Sequence, residues 1–307
     1  MTILVLGGCG FIGSHVVDAL RAAGENVRVF DRQPEQFRPP LPGVEYRFGM
    51  FGDRAAVVQA LTGVDHVVHL ISTTVPGTAD LDPRADVQDN VVGTLSLLEA
   101  MTEMGIGRIL FLSSGGTVYG VPQQVPIPET HRLAPINSYG IGKAAIESYL
   151  SLYQRTQGLS PVVLRASNPY GPRQGQTGIQ GVVGTCLRRL IEDRPLEIWG
   201  DGSVVRDFFC VRDLADLCVT AVLSDRTGPY NAGSGVGVSI NEVVALVSRV
   251  AGSSVRTVHQ AGRPQDVPRS ILDVTRARTD FGWSAATSLE DGIAETWDWM
   301  CKMASPA

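Results

Sequence analysis

The chain has 307 residues, 44% of them apolar and 19% charged, with a formal net charge of −5. That balance excludes a disordered or collagen-like chain, and its acidity speaks against nucleic acid as a partner. Glycine is in excess, at 34 residues or about 11% against a typical ~7%; with no Gly-X-Y period it must cluster at turns and ligand contacts.

The predicted elements alternate from the start. Ile3–Leu6 reads as a buried strand, Phe11–Ala23 as a helix and Val27–Phe30 as a strand. Arg54–Leu61 (helix), Val67–Leu70 (strand) and Val87–Met104 (one long helix) follow. Next come Ile109–Leu112 (strand), Tyr139–Gln157 (long helix) and Val162–Arg165 (strand). Short strands that are apolar throughout belong to a parallel sheet covered on both faces, so the expected class is a doubly wound α/β Rossmann fold. After about residue 167 the alternation is lost. Residues 1–167 are read as a dinucleotide-binding domain and 168–307 mainly as a smaller substrate lobe, with some segments returning to the sheet. The closing helix, Leu289–Met303, places Leu289, Ile293, Trp297 and Met300 near one face, a core stripe.

The five cysteines, Cys9, Cys186, Cys210, Cys218 and Cys301, have no CxxC spacing and no histidine cluster. This predicts neither a disulfide framework nor a metal site, and a reducing cytoplasm as the location. No apolar run reaches the ~18 residues of a membrane helix. The apolar N-terminus lacks the basic stretch of a signal peptide, because the first basic residue is Arg21.

Two motifs carry chemistry. GGCGFIG, with Gly7, Gly10 and Gly13, lies between a strand and a helix, where glycines let backbone approach a pyrophosphate at the helix N-terminus. Phe11 and Ile12 belong to the same loop. Asp31, 18 residues beyond Gly13, stands where a carboxylate accepts the adenosine ribose hydroxyls, favouring NAD; the adjacent Arg32 is a residue that can meet a 2′-phosphate. The second motif is NSYGIGK, whose Tyr139 and Lys143 share one helical face at i, i+4. An ammonium beside a phenol stabilises the phenolate. The pair is therefore expected to bring the Tyr139 pKa down from about 10 and make it a general base.

Together with His69–Leu70, Asn90–Thr94 (NVVGT), SSGGTVYG at Ser113–Gly120, RASNPYGPRQ at Arg165–Gln174, PLEIWGDGSVVRDF at Pro195–Phe208 and GRPQD at Gly262–Asp266, these motifs give the chain a resemblance over nearly its whole length. It is similar to the extended short-chain dehydrogenase/reductases of the NAD-dependent sugar epimerase/dehydratase family, and most to nucleotide-sugar 4-epimerases. The resemblance implies NAD as cofactor, with Lys143 also holding its nicotinamide ribose and with Leu70 and Asn90 in the cofactor site. It implies Asn168, Arg206, Arg263 and Asp266 as contacts for a nucleotide-sugar, Leu196 and Ile198 beside its base, and a homodimer packed through Val87–Met104 and Ile146–Gln157.

Three positions depart from that pattern. Gly115 stands where relatives keep a catalytic Ser or Thr, leaving Thr117 or Ser114 to supply the hydroxyl. Met50 stands where an acid meets the adenine, so backbone near Phe51, or Asp53, takes that place. Ser270 replaces a larger residue beside the sugar. Gly116 and Thr117 occupy places where dehydratases and decarboxylases carry acids, which argues against both reactions. The expected activity is C4 epimerisation of a UDP-hexose through a 4-keto intermediate. An NAD(P)H-dependent 4-ketoreductase of a deoxysugar nucleotide is the alternative, and a non-catalytic dinucleotide-binding scaffold a third reading.

Overall fold

A computed structural model describes residues 1–174, 181–262 and 267–304. In chain order its first part runs β1 (Thr2–Leu6), α1 (Phe11–Ala22), β2 (Asn26–Asp31), β3 (Val44–Phe48), α2 (Arg54–Leu61), β4 (His66–His69), α3 (Pro83–Asp86), α4 (Gly93–Glu103), β5 (Arg108–Ser114), α5 (Ser138–Gln157) and β6 (Ser160–Ala166). The remainder is β7 (Asn168–Tyr170), α6 (Val182–Ile191), β8 (Leu196–Trp199), β9 (Val205–Cys210), α7 (Val211–Leu223), β10 (Gly228–Ala232), β11 (Gly237–Ser239), α8 (Ile240–Ala251), β12 (Thr257–Gln260), β13 (Arg269–Ser270), α9 (Thr275–Phe281) and α10 (Leu289–Ala304).

Seven strands pair in the order β10-β6-β5-β4-β1-β2-β3, every neighbour parallel. Ile3, Leu4, Val5 and Leu6 are all fully buried, as a strand covered on both faces requires. Residues of α1, α7 and α9 fill one face, around Val16, Leu20, Leu217 and Ala277. Residues of α2, α4 and α5 fill the other, around Val57, Leu97 and Ile146. The order reverses between β1 and β4, so a crevice opens at the carboxyl ends of these two strands, where such sheets bind ligands. A smaller unit is built on β9, which pairs with β7, β11 and β13. Residues of α6, α8 and α10 close over it in a separate core containing Tyr170, Leu187, Val243 and Ile293. β10 lies in the large sheet and α7 in its core, although both follow residue 167.

Two elements differ from the expectation. The single helix Val87–Met104 is instead α3, a π-helical turn over Val87–Val92, and α4. Asn90 Nδ2 donates to the Asp86 carbonyl, the acceptor that a regular helix reserves for the Asn90 N–H, and the turn widens. β3 was not foreseen. Its sequence VEYRF carries two charged residues in five and lies at the sheet edge, where one side needs no apolar cover.

Candidate active site

The loops after β1, β4, β5 and β6 line a cleft of about 720 Å³. Gly7, Gly10, Phe11, Ile12, Gly13 and Leu70 form one half of it. A Cβ at Gly13 would lie 2.0 Å from the Gly7 carbonyl oxygen, so only glycine closes this turn. Gly10 caps α1 with no side chain over the helix end, leaving that end to backbone and to an anion. Asp31, at the end of β2, accepts the Cys9 N–H on Oδ2 (3.0 Å) and the Arg32 N–H on Oδ1 (2.7 Å). Each oxygen keeps acceptor capacity for a ribose hydroxyl, while its charge disfavours a phosphate there. Arg32 is exposed beyond it. These residues fit NAD: a turn only glycine can make, an uncapped helix start and a fixed carboxylate.

Tyr139 and Lys143 stand on the first turns of α5, which Asn137 caps by accepting the Gly140 N–H at 2.8 Å. Lys143 is 6% exposed; its Nζ donates to the Leu112 carbonyl at 2.9 Å and lies 5.6 Å from the centroid of the Tyr139 ring. Burial pulls its ammonium down to about 8, opposed by the charges of Glu147 and Asp86. The Tyr139 phenol does not follow the expectation. Desolvation pushes it up to about 12; hydrogen bonding to Ser72 opposes this, and the Asp86 charge adds to it. Desolvation is the dominant influence on this phenol.

Gly115 is fixed by packing. A Cβ there would meet Leu272 Cδ1 at 2.6 Å and the Arg165 carbonyl oxygen at 2.9 Å, so a serine does not fit. Both candidate hydroxyl residues, Ser114 and Thr117, line the cleft. Thr117 Oγ1 is buried and has no hydrogen-bond partner, so it has a bond to offer a ligand.

Asn168 and Arg206 line the far half of the cleft. Asn168 Nδ2 donates to the Asp207 carbonyl (3.0 Å), and Arg206 Nη1 to the carbonyls of Val205 (2.9 Å) and Val267 (2.7 Å). Arg263 and Asp266 lie outside the described residues. Leu196 and Ile198 point into the core around Leu187 and Val243 and do not line the cleft, because β8 alternates buried and exposed residues. Ser270 is buried on β13 opposite Arg206, also away from the cleft lining. Asn90 accepts the Thr73 N–H at 2.9 Å and holds the loop after β4 instead of facing the cleft. Asp53 caps α2, accepting from the N–H groups of Ala55 and Ala56. Phe51 is buried, its ring against Gly93 and His69, while Met50 is exposed beyond β3.

The sequence reading missed three residues. Ser72, two residues after Leu70, donates to the Thr74 carbonyl at 2.9 Å, lines the cleft and acts to lower the Tyr139 phenol. Ser167 Oγ and Gln174 Oε1 are buried, unpartnered polar atoms of cleft residues. Both lie in RASNPYGPRQ, so their polarity inside a recognised motif was the available signal.

A glycine turn with a fixed carboxylate on one side, and a Tyr/Lys pair facing a second polar pocket on the other, defines a dinucleotide-dependent enzyme that works on a second ligand. The chain belongs to the NAD-dependent epimerase/dehydratase family, whose model matches residues 3–233. A UDP-glucose 4-epimerase of Mycolicibacterium smegmatis is 35% identical over 304 residues, covering 96% of this chain and 97% of that protein. The crystal structure of a Thermotoga maritima UDP-glucose 4-epimerase with UDP-glucose superposes with a TM-score of 0.95 at 34% identity, covering 99% of this chain and 100% of the other. That of the Thermus thermophilus UDP-glucose 4-epimerase with NAD gives 0.92 at 35% identity, covering 98% and 99%.

Proposed function

We propose that the protein is an NAD-dependent nucleotide-sugar 4-epimerase acting on a UDP-hexose. The observation that carries this reading is the Tyr139/Lys143 pair beside a buried, unpartnered Thr117 hydroxyl, set between the glycine turn and the polar half of the cleft. Bound NAD supplies a hydride acceptor that later returns the hydride. Tyr139, acting as its phenolate, takes the proton of the sugar 4-hydroxyl and, now a neutral phenol, gives it back after the 4-keto sugar has presented its other face. The Lys143 ammonium, anchored on the Leu112 carbonyl, stabilises the phenolate against the pull of burial, so that the base is available. Thr117 hydrogen-bonds the same sugar oxygen. Arg206 and Asn168 hold the nucleotide diphosphate while the sugar turns. Residues up to 167 serve the cofactor and the remainder chiefly the substrate. We read the protein as a cytoplasmic homodimer packed through the helices of residues 87–104 and 146–157, which light scattering would report as twice the chain mass. Among the described residues no helix is long and apolar enough to cross a membrane.

The test is incubation with UDP-glucose, UDP-N-acetylglucosamine and UDP-glucuronate, followed by NMR of the anomeric region. A C4 epimer of at least one is expected, and none from any of them refutes the reading. Tyr139→Phe should abolish turnover while NAD still binds.

A further inference from the structure

Beneath the catalytic pair a line of buried polar side chains crosses four elements. Glu147, one helical turn after Lys143 on α5, accepts from Ser113 Oγ at 2.5 Å on Oε1 and from Arg165 Nη2 at 2.6 Å on Oε2. Arg165 Nη1 donates to the Tyr119 hydroxyl (2.9 Å) and the Glu129 carbonyl (3.0 Å), and Tyr119 donates to Asn231 Oδ1 (2.7 Å). Glu147 and Arg165 are both buried. A buried ion pair contributes little net stability to a fold, because desolvation offsets its attraction. Its position here matters more. Ser113 directly follows Leu112, whose carbonyl receives Lys143 Nζ. The other groups facing that ammonium are Tyr139 on the same helix, Asp86 at the end of α3, the Phe111 ring 4.7 Å away, and His69 on β4. Burial holds His69 neutral, pulling it down to about 3.

We infer that Glu147 is a positioning residue for Lys143. Through Ser113 and Arg165 it fixes the end of β5 so that the Leu112 carbonyl holds the ammonium, and its carboxylate compensates that ammonium's charge. The inference rests on the proposed reading, in which Lys143 works as a cation.

The sequence offers a direct readout. The chain has two lysines, Lys143 and Lys302, and Lys302 is exposed near the end of α10. Protein labelled with 13C at the lysine ε-carbon therefore gives two titrating NMR signals, the second an internal reference. In Glu147→Gln we expect the Lys143 titration to move down by about one pH unit, as loss of a nearby opposite charge does. Lys302 should stay in place. The high-pH limb of kcat should move down with Lys143 while KM is unchanged, and Glu147→Asp, which keeps the carboxylate, should restore both. Glu147→Gln strands a buried guanidinium. If it does not fold, Glu147→Gln combined with Arg165→Met removes both charges and should show a smaller shift in the same direction. Lys143 titrating at the wild-type pH in either folded variant overturns the inference. The titration needs no substrate. A shifted Lys143 in a protein that epimerises none of the UDP-hexoses would refute the proposed function and leave this coupling standing.

Discussion

Thr117→Val should move stability and turnover in opposite directions. The Thr117 hydroxyl is buried and makes no hydrogen bond in the protein alone. Leaving such a group unpaired costs about 1–3 kcal/mol. Valine keeps the shape and removes the unpaired oxygen, so the variant should be about 1 kcal/mol more stable, a rise in Tm of roughly 2 °C in a protein of this size. The same hydroxyl is assigned to the sugar oxygen that exchanges a proton with Tyr139. Its loss should slow kcat about 100-fold, equivalent to about 2.7 kcal/mol of transition-state stabilisation. Differential scanning calorimetry of the protein alone and steady-state epimerisation measure the two effects on one preparation. A variant that turns over at the wild-type rate would move the hydroxyl role to Ser114. A lower Tm would show that the hydroxyl already has a partner inside the fold, and the reasoning from an unpaired atom would fail.

Gly115→Ser introduces the hydroxyl that the family resemblance leads one to expect there, yet it drives a Cβ to within 2.6 Å of Leu272 and 2.9 Å of the Arg165 carbonyl. It should lose about 1–3 kcal/mol of stability through overpacking and gain no turnover, and a faster enzyme with an unchanged Tm would contradict this. Turnover should fall as pH rises through about 8, because the Lys143 ammonium is charged only below its lowered pKa; a kcat profile flat to pH 10 would exclude the lysine as a working cation. His15 and His69 are pulled by burial down to about 4 and about 3. The unfolded chain then binds more protons below pH ~6.5, so stability should fall as pH drops from there towards 4 and 3, which denaturant melts at stepped pH would check. Asp31→Ala should weaken NAD binding about tenfold and narrow the preference over NADP, since it removes the ribose acceptor and the charge that repels a 2′-phosphate; calorimetric titration with both cofactors would expose an unchanged ratio.

Much of the site was legible in the sequence because its chemistry is local. The glycine turn, Asp31, and Tyr139 with Lys143 each depend on short spacings within one strand, turn or helix. What the sequence did not carry was long-range packing. The tight fit around Gly115 arises from Leu272, more than 150 residues away, and from the Arg165 backbone. The orientation of Leu196 and Ile198 follows from which face of β8 meets the core around α6 and α8, and a resemblance of motifs leaves that open. The raised Tyr139 phenol has the same origin. Helical spacing brings a lysine near, whereas desolvation depends on everything else that closes around the ring. The edge strand β3 was missed because two of its five residues are charged and hydrophobic periodicity gave no signal.

The placement of β10 constrains how substrate preference can be changed, in the laboratory or in evolution. This strand forms an outer edge of the large sheet, and α7 before it packs into the core beside α1. A chimera joined at residue 167 would exchange the wall of the cleft together with a strand and two helices, α7 and α9, of the cofactor half. Each would then have to match a foreign sheet. A viable graft of new specificity is therefore a set of separate insertions between retained segments, with the chain from 211 to 232 and α9 left in place. Substrate preference in this architecture should drift loop by loop, and recombination of whole halves should rarely survive.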